Sequence, residues 1–315
     1  MSADVIVVMD PIGSIKIAKD TTFAMLLEAQ RRGHRLHYVL PGGLSLRDGR
    51  ARARAAPLTV REDKAGWYAL GEPAELAFGP GQAVLMRKDP PVDGEFVYDT
   101  QILGVAQAAG ALVVNDPQGL RDYNEKLASQ LFPQCCPPTL VSRDAAALKA
   151  FVHEHGQVVL KPLDGMGGRS IFRSGKGDPN LNVILETLGD GGCRQVVAQR
   201  YIPEIAAGDK RILLVDGTPV EYCLARIPQG DEFRGNLAAG GRGEGRPLSE
   251  RDRWIAAQVG PLMRERGMLF VGLDVIGDYL TEVNVTSPTC ARELDAQFGL
   301  NICALLFDAI ERRLA

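Results

Sequence analysis

Short apolar runs alternate with amphipathic segments through the first third of the chain, and this alternation restricts the fold more than any other feature. DVIVVMD (4–10) is an apolar run of strand length, and HRLHYVL (34–40) is the next one. Between them Asp20 and Thr21 begin a helical segment that Gly33 ends, as these residue types favour those positions. The strand–helix–strand order predicts a parallel sheet with helices on its faces.

The pattern continues through AVLMRK (83–88) and ALVVN (111–115), which are predicted strands with a helix at about 99–109 between them. A second unit of helices and strands is expected to begin near Arg121. The predicted helices cover 124–132, 145–156, 254–267 and a last segment from about Leu294 to Leu314; the predicted strands cover 157–163, 170–174, 194–202, 209–217, 218–227 and a hairpin at 270–285.

Two stretches depart from this regularity. Residues 44–82 carry Arg50, Arg52 and Arg54, which share one face of a strand. A nucleic-acid patch and a solvated hairpin face are both open, and the absence of an aromatic row beside the arginines favours the hairpin. The other stretch, 228–247, is rich in glycine and is expected to be a lid or a disordered loop.

Length and charge limit the kinds of partner. The chain has 315 residues, enough for about two domains, and a formal net charge of −3. Such a chain has no overall attraction for nucleic acid or for anionic membranes, so an anionic ligand needs a local cluster of cations. The N-terminal run lacks a basic leader, and the six cysteines show no C-x-x-C spacing. We therefore expect a cytoplasmic protein with reduced thiols and no zinc site.

The segment LDVIGDYLTEVN (273–284) carries the clearest chemistry. Gly277 and Asp278 predict a tight turn, and folding back about it brings Asp274 roughly opposite Glu282, where cross-strand neighbours lie ~5 Å apart. Asn284 shares a face with Glu282. Three hard oxygen ligands then converge, which suits magnesium. The alternative is that Asp274 and Glu282 are polar residues that face solvent on a half-buried strand.

A glycine-rich loop follows Lys161 in the segment KPLDGMGGR (161–169). It fits neither the P-loop nor the G-x-G-x-x-G pattern, and it links strand to strand. Glycines allow backbone N–H groups to approach an anion closely, so the loop is a candidate phosphate site, with a ligand-free hairpin turn as the alternative. Lys126, Lys161 and Arg211 are separated cations at the edges of predicted elements. Together they would offset the charge of a bound triphosphate.

Co-linear segments resemble the ATP-grasp superfamily, and more closely its bacterial glutathione synthetases. The resemblance is carried by MDPI (9–12), KDTTFAMLLEAQRRGH (19–34), LMRKDPP (85–91), NEKL (124–127), LKPLDGMGG (160–168), GDKR (208–211), CLARIPQG (223–230), RGNLAAGGRGE (234–244), FVGLDVIGD (270–278) and LTEVNVTSPTC (280–290). It implies an α/β, more specifically α+β, fold: an N-terminal parallel-sheet domain over 1–122, then a two-lobed ATP-grasp domain over 123–315, with lobes at about 123–200 and 201–315.

The resemblance also implies roles for individual residues. For ATP they fall on Lys126, Lys161, Gly165, Gly167, Gly168, Gln199, Tyr201 and Arg211; for the dipeptide substrate on Arg87, Arg226, Arg234 and Asn236; for Mg²⁺ (or Mn²⁺) on Asp274, Glu282 and Asn284. Arg211 is implied as the catalytic contact of the transferring phosphoryl group, and the loops at 164–168 and 227–242 as lids. Arg169 and the pair Cys135–Cys136 have no implied role.

The implied reaction joins γ-glutamylcysteine to glycine through an acyl phosphate, with release of ADP and phosphate. Its partners are these small molecules and ATP, with no nucleic acid and no membrane, in a homo-oligomer that the resemblance suggests is a tetramer. Two other functions stay open at this point. One is a different ATP-grasp carboxylate–amine ligase, and the other is a nucleotide-binding regulatory protein without turnover.

Overall fold

The computed structural model describes residues 2–230, 232, 234, 235, 237 and 240–315. Among these residues, every helix is too short or too polar to cross a lipid bilayer. Asn236 lies outside the described residues, so the expectation that it binds substrate has no structural counterpart here. Three β-sheets follow one another along the chain.

The first sheet has the order β3-β4-β2-β1-β7-β8, with β5 and β6 paired to β4. Its strands are β1 Asp4–Val8, β2 Arg35–Val39, β3 Leu44–Arg47, β4 Arg50–Val60, β5 Tyr68–Leu70, β6 Ala74–Ala77, β7 Gln82–Met86 and β8 Leu112–Val114; its helices are α1 Thr21–Arg31, α2 Gly94–Ala108 and α3 Pro117–Asp122. The predicted parallel core is confirmed, because β1 pairs in parallel with β2 and β7, and β7 with β8.

Strand β1 shows why its sequence is a continuous apolar run. Ile6 and Val8 pack with residues of α2, whereas Val5 and Val7 pack with residues of α1. A strand covered on both faces needs apolar side chains at every position. The predicted limits of α1 are also confirmed: the Asp20 carboxylate accepts a hydrogen bond from the Phe23 N–H at 2.6 Å.

The second sheet has the order β11-β10-β12-β9. Its strands are β9 Thr139–Ser142, β10 Gln157–Pro162, β11 Phe172–Gly175 and β12 Val196–Arg200; its helices are α4 Glu125–Ala128, α5 Ala145–His155 and α6 Leu181–Gly189. The single helix predicted over 124–132 is wrong, because a 3-10 turn at Ser129–Leu131 replaces it after α4.

The third sheet is antiparallel, with the order β15-β14-β13-β16-β17. Its strands are β13 Asp209–Val215, β14 Thr218–Ile227, β15 Arg242–Pro247, β16 Phe270–Ile276 and β17 Tyr279–Asn284; the helices are α7 Glu250–Glu265, α8 Ala291–Phe298 and α9 Ile302–Leu314. Helix α9 packs between this sheet and the first one, so Leu306 and Phe307 share a core with Val7 and Leu213.

Three expectations about element limits need correction. Helix α2 begins at Gly94, five residues before the predicted start, because the Asp93 side chain caps it. The last helix is divided into α8 and α9 at Gly299, whose φ of +64° a helix cannot contain. The glycine-rich stretch is a strand over its final part, since β15 pairs with β14.

The hairpin at 44–82 is formed as the sequence favours. Strands β3 and β4 are antiparallel and join through Asp48 and Gly49, whose φ values are +50° and +72°. Arg50 and Arg54 are exposed, and the Arg52 guanidinium lies 3.2 Å from the Glu75 carboxylate. The arginine face is thus solvated and partly neutralised by acidic neighbours.

Asn115 joins the first sheet to the third. It is 3% exposed and follows β8 directly. Its amide nitrogen donates to the carbonyls of Phe270 and Val285 at 2.8 and 2.7 Å, and its amide oxygen accepts from the Phe270 N–H at 2.9 Å. One buried side chain therefore satisfies three backbone groups beside the hairpin β16–β17.

Replacing Asn115 by Ala is expected to lower the free energy of unfolding by at least ~2 kcal/mol, because each buried polar group left unpaired costs about 1–3 kcal/mol. Urea unfolding followed by fluorescence measures the change. The matched control is Gln118→Ala, at an exposed position a few residues away. Equal stability of the two variants would contradict the role of Asn115 as a link.

Candidate active site

A cavity of about 480 Å³ lies between the second and third sheets. Its walls come from β10 and β12 on one side and from β13, β14, β16 and β17 on the other. Residues that follow β1, among them Asp10 and Lys16, close one end. Of the ATP-, substrate- and metal-directed residues expected from the sequence, all that the structure describes line this cavity except Arg87.

The hairpin β16–β17 brings the predicted metal ligands together. Asp274 lies opposite Glu282, and Asn284 lies opposite Gly272, with the turn at Gly277 as expected. Asp274 and Asn284 are 4% and 8% exposed. The alternative that Asp274 and Glu282 face solvent is therefore wrong for Asp274, which is buried, while Glu282 is half-buried.

Glu282 faces two lysines from the other side of the cavity. Lys161 at the end of β10 lies 3.1 Å from its carboxylate, and Lys126 on α4 lies 3.8 Å away. Both lysines are buried. Burial alone would raise the pKa of Glu282, but the two ammonium groups hold that pKa below its usual value. The ionised carboxylate is thus the form that the site stabilises.

Asp274 is held by two arginines on neighbouring strands. The Arg211 Nε donates to it at 2.6 Å, and the Arg226 Nη2 lies 2.9 Å from its other oxygen. Although burial opposes ionisation, these guanidiniums lower the pKa of Asp274. Arg226 also forms a close ion pair with Asp209. Two carboxylates and two guanidiniums therefore form one buried network on the cavity face of the sheet.

The glycine-rich loop after β10 lines the cavity beside Lys126. The Lys126 ammonium donates to the Gly165 carbonyl at 2.7 Å. Gly167 and Gly168 have φ values of +63° and +82°, which glycine adopts without strain. Arg169 lines the edge of the cavity and is exposed. Arg234, from the other expected lid, donates to the Gly168 carbonyl at 2.7 Å, so the two loops meet over the cavity.

Another part of the cavity wall is formed at β12. Gln199 and Tyr201, on and just after β12, line it together with Ile202. Gln199 donates to the Thr139 hydroxyl at 3.1 Å, which fixes the amide. The Arg173 guanidinium lies over the Tyr201 ring, 4.0 Å from its centroid. These contacts hold the polar Gln199 side chain and the Tyr201 ring in place beside the apolar side chain of Ile202.

Arg87 is not brought to the cavity wall. Its guanidinium donates to the Thr22 hydroxyl at 3.0 Å and to the Pro288 carbonyl at 2.9 Å. Pro288 itself lines the cavity. The geometry therefore favours support of the 286–290 loop by Arg87 over direct contact with a ligand.

Two functional positions were missed at the level of sequence. Glu125 accepts three hydrogen bonds on one oxygen, from the N–H groups of Val285 and Thr286 and from the Thr286 hydroxyl at 2.7 Å. It thereby ties α4 to the chain that leaves β17. Asp209 faces the cavity two residues before Arg211. The two-residue spacing on a strand is the signal that would have identified it.

The donor set fits a hard divalent cation. Among the residues that the structure describes, no cluster of three His, Cys, Asp or Glu side chains is suited to a metal ion. Two carboxylates and one amide, Asp274, Glu282 and Asn284, instead converge on the cavity. Such an incomplete oxygen set is typical of Mg²⁺ sites that are completed by water and phosphate oxygens.

Comparison with known proteins covers nearly the whole chain. Residues 3–121 match the family model of the prokaryotic glutathione synthetase N-terminal domain, and residues 125–299 match that of its ATP-grasp domain. The chain is 86% identical to a glutathione synthetase of Xanthomonas axonopodis pv. citri, over 99% of this chain and 98% of that protein. It is 60% identical to a glutathione synthetase of Pseudomonas putida, over 100% of this chain and 99% of that protein.

Solved structures with the same fold are more distant in sequence. D-cycloserine synthetase DcsG matches with a TM-score of 0.68 at 16% identity, over 99% of this chain and 100% of that one. The ATP-grasp ligase PsnB, in complex with a minimal precursor, Mg and ADP, matches with a TM-score of 0.61 at 16% identity, over 98% of each chain. These likenesses establish the ATP-grasp fold.

Replacing Lys161 by Met is expected to weaken binding of a magnesium–nucleoside triphosphate by at least ~10-fold, since a hydrogen bond to a charged group contributes about 1.5–3 kcal/mol. Isothermal titration calorimetry measures the dissociation constant. Lys176→Met is the control, because Lys176 is exposed in the same lobe. A loss no greater than that of the control would contradict a phosphate contact for Lys161.

Proposed function

The chain belongs to the prokaryotic glutathione synthetase family, and from this membership we propose that it joins γ-glutamylcysteine to glycine at the expense of ATP. ATP-grasp ligases use ATP with a divalent metal, and Mg²⁺ is the ion we propose here, with Mn²⁺ as a substitute. The supporting observation is that Lys126 and Lys161 face the Glu282 carboxylate across one cavity, while Arg211 pairs with Asp274 on the cavity face of the third sheet.

We assign the nucleotide to the length of this cavity. Gln199 and Tyr201 would border the adenine, while Lys126, Lys161 and the backbone of the loop Gly165, Gly167 and Gly168 would face the phosphates. Asp274, Glu282 and Asn284 would hold the metal ion. When bound, that ion would neutralise part of the charge on the β- and γ-phosphate oxygens.

Activation of the dipeptide is needed because a carboxylate is a poor electrophile. Transfer of the γ-phosphoryl group to it forms an acyl phosphate, whose leaving group is phosphate. Arg211 is proposed as the catalytic residue, since its guanidinium lies in the cavity beside Asp274. There it would stabilise the negative charge of the phosphoryl group during its transfer. Arg226 and Arg234 are proposed to hold the dipeptide, because a guanidinium binds a carboxylate with two hydrogen bonds.

Water must be excluded once the acyl phosphate exists. The loops at 164–168 and 227–242 are suited to this, because Arg234 joins them through the Gly168 carbonyl. Gly235 packs tightly against the third sheet: a Cβ there would lie 2.3 Å from the Arg226 carbonyl oxygen and 3.0 Å from the Asp209 Cβ. A side chain at this position would lift the loop.

The activity is tested by measuring ADP formation with ATP, γ-glutamylcysteine and glycine, each omitted in turn, together with detection of the tripeptide product. We expect ADP and tripeptide in equal amounts only when all three are present. ADP release with a different carboxylate and amine would assign another ligase activity. Nucleotide binding without any turnover would assign a regulatory role.

We also propose a cytoplasmic homotetramer, on family resemblance alone. Light scattering on the purified chain tests the assembly, and a monomer at micromolar concentration would contradict it.

Glu282→Gln is expected to lower the rate of ADP formation by about 10²–10³-fold at fixed magnesium, which is the effect of removing one well-placed charged group from an active site. It is a cleaner test than Asp274→Asn, because Asp274 also anchors two buried arginines. Glu186→Gln, at an exposed position on α6, is the control. Full activity of the Glu282 variant would rule out a metal contact.

Gly235→Ala is expected to raise ATP hydrolysis relative to tripeptide formation, because the displaced loop admits water to the acyl phosphate. The ratio of phosphate to tripeptide measures the effect. Gly104→Ala on α2 is the control, since a Cβ there meets nothing within 4 Å apart from its chain neighbours and the backbone of its own helix. An unchanged ratio would speak against a water-excluding loop.

A further inference from the structure

The carboxylate of Asp209 lines the cavity and has no task in the scheme above. Asp209 is 8% exposed, and one of its oxygens pairs with Arg226. The other oxygen, Oδ1, is buried and has no hydrogen-bond partner in the part of the chain that the structure describes. A buried acceptor without a partner is costly, so its retention beside a ligand cavity points to a group that the ligand supplies.

Strand pairing places Asp209 close to the proposed phosphoryl contact, Arg211. Asp209 and Arg211 are two residues apart on β13 and so point to the same face. Arg226 lies opposite Asp209 on β14, and Asp274 lies opposite Arg211 on β16. The free oxygen therefore lies one residue pair away from the guanidinium proposed to meet the phosphoryl group, on the side covered by Gly235.

The charges around Asp209 limit which ligand group could pair with its Oδ1. The network around Asp209 has two carboxylates and two guanidiniums, so it carries no surplus charge. An anionic ligand group would be repelled by the unpaired carboxylate oxygen, whereas an ammonium group would donate to it. The amino acid substrate of the ligation brings such an ammonium.

We propose that Asp209 receives the ammonium group of the incoming amino acid on Oδ1 and removes one of its protons. This inference rests on the proposed function, since it assigns a further catalytic residue to the same reaction. An amino acid is protonated at neutral pH, and its ammonium nitrogen has no lone pair with which to attack.

The proton and electron balance is complete without another reactant. The ammonium gives one proton to Asp209, and the freed lone pair forms the C–N bond at the acyl phosphate carbonyl. The C–O bond to phosphate breaks, and the phosphate leaves with that electron pair and takes the second proton from nitrogen. Asp209 then releases its proton to solvent as the products depart.

The surroundings of Asp209 support a proton acceptor. Burial raises the pKa of Asp209 above its usual range, even with the Arg226 guanidinium opposing that shift. Asp274, which is held by two guanidiniums, has its pKa lowered in the same network.

A nucleophile that needs no deprotonation separates this role from a structural one. Hydroxylamine is uncharged at neutral pH and captures acyl phosphates as hydroxamates. With ATP, magnesium and γ-glutamylcysteine, Asp209→Asn is expected to lower the turnover number with glycine by at least ~10²-fold, the usual contribution of a general base. Hydroxamate formation by the same variant is expected to stay within about tenfold of the unmodified chain, since that step uses no general base.

The controls address folding and position. Asp252→Asn alters another buried carboxylate, which pairs with Lys210 on the other face of β13, and should leave the ratio of the two rates unchanged. Circular dichroism reports whether each variant is folded, and Asp209→Ser replaces Asp209→Asn if the latter is not. Glu293→Gln tests the other unpaired buried carboxylate oxygen at the cavity among the described residues.

Loss of the glycine reaction with retention of hydroxamate formation in the Asp209 variant supports the proposal. Equal loss with both nucleophiles overturns it, because Asp209 then only maintains the arginine network. The same split in Glu293→Gln and not in Asp209→Asn also overturns it. If the unmodified chain forms neither tripeptide nor hydroxamate, the proposed function itself fails, and this inference fails with it.

Discussion

The pairing of buried charges across the cavity is the interaction on which the rest of the site depends. Glu282 on β17 meets Lys161 from β10 and Lys126 from α4, so three elements distant in sequence share one ion cluster. A charge taken out of water is stable only when a partner offsets the lost hydration. The second and third sheets must therefore approach each other for these side chains to be buried at all.

The same charged side chains can exchange partners when a ligand binds in the cavity. Without ligand, the lysines offset Glu282 and the arginines offset Asp274. With a triphosphate and a divalent cation, the lysines would turn to phosphate and the carboxylates to the metal. The supporting contacts, such as Glu125 on the Val285–Thr286 backbone, keep the elements in place while these partners exchange.

Local chemistry made part of the fold predictable. The continuous apolar run of β1 and the capped start of α1 depend on neighbours in sequence, and both are found where the pattern indicates. The Gly277 turn set the pairing of Ile276 with Tyr279 and of Val275 with Leu280, and an irregularity between Asp274 and Val275 then shifts the register by one residue, so that Asp274 lies opposite Glu282. The divided last helix was missed because a glycine inside a helical pattern is tolerated often enough to be ambiguous.

The sequence by itself determined which side chains share a strand face, where the tight turns lie and which family the chain resembles, because these depend on spacing along one segment. Only the tertiary structure decided that Arg87 supports Pro288, that Asn115 joins two sheets and that β15 pairs with β14. It also decided that one Asp209 oxygen has no hydrogen-bond partner among the described residues. Each of these depends on which distant group becomes the partner. Partners in a folded chain are set by the packing of whole sheets, and no local pattern encodes them.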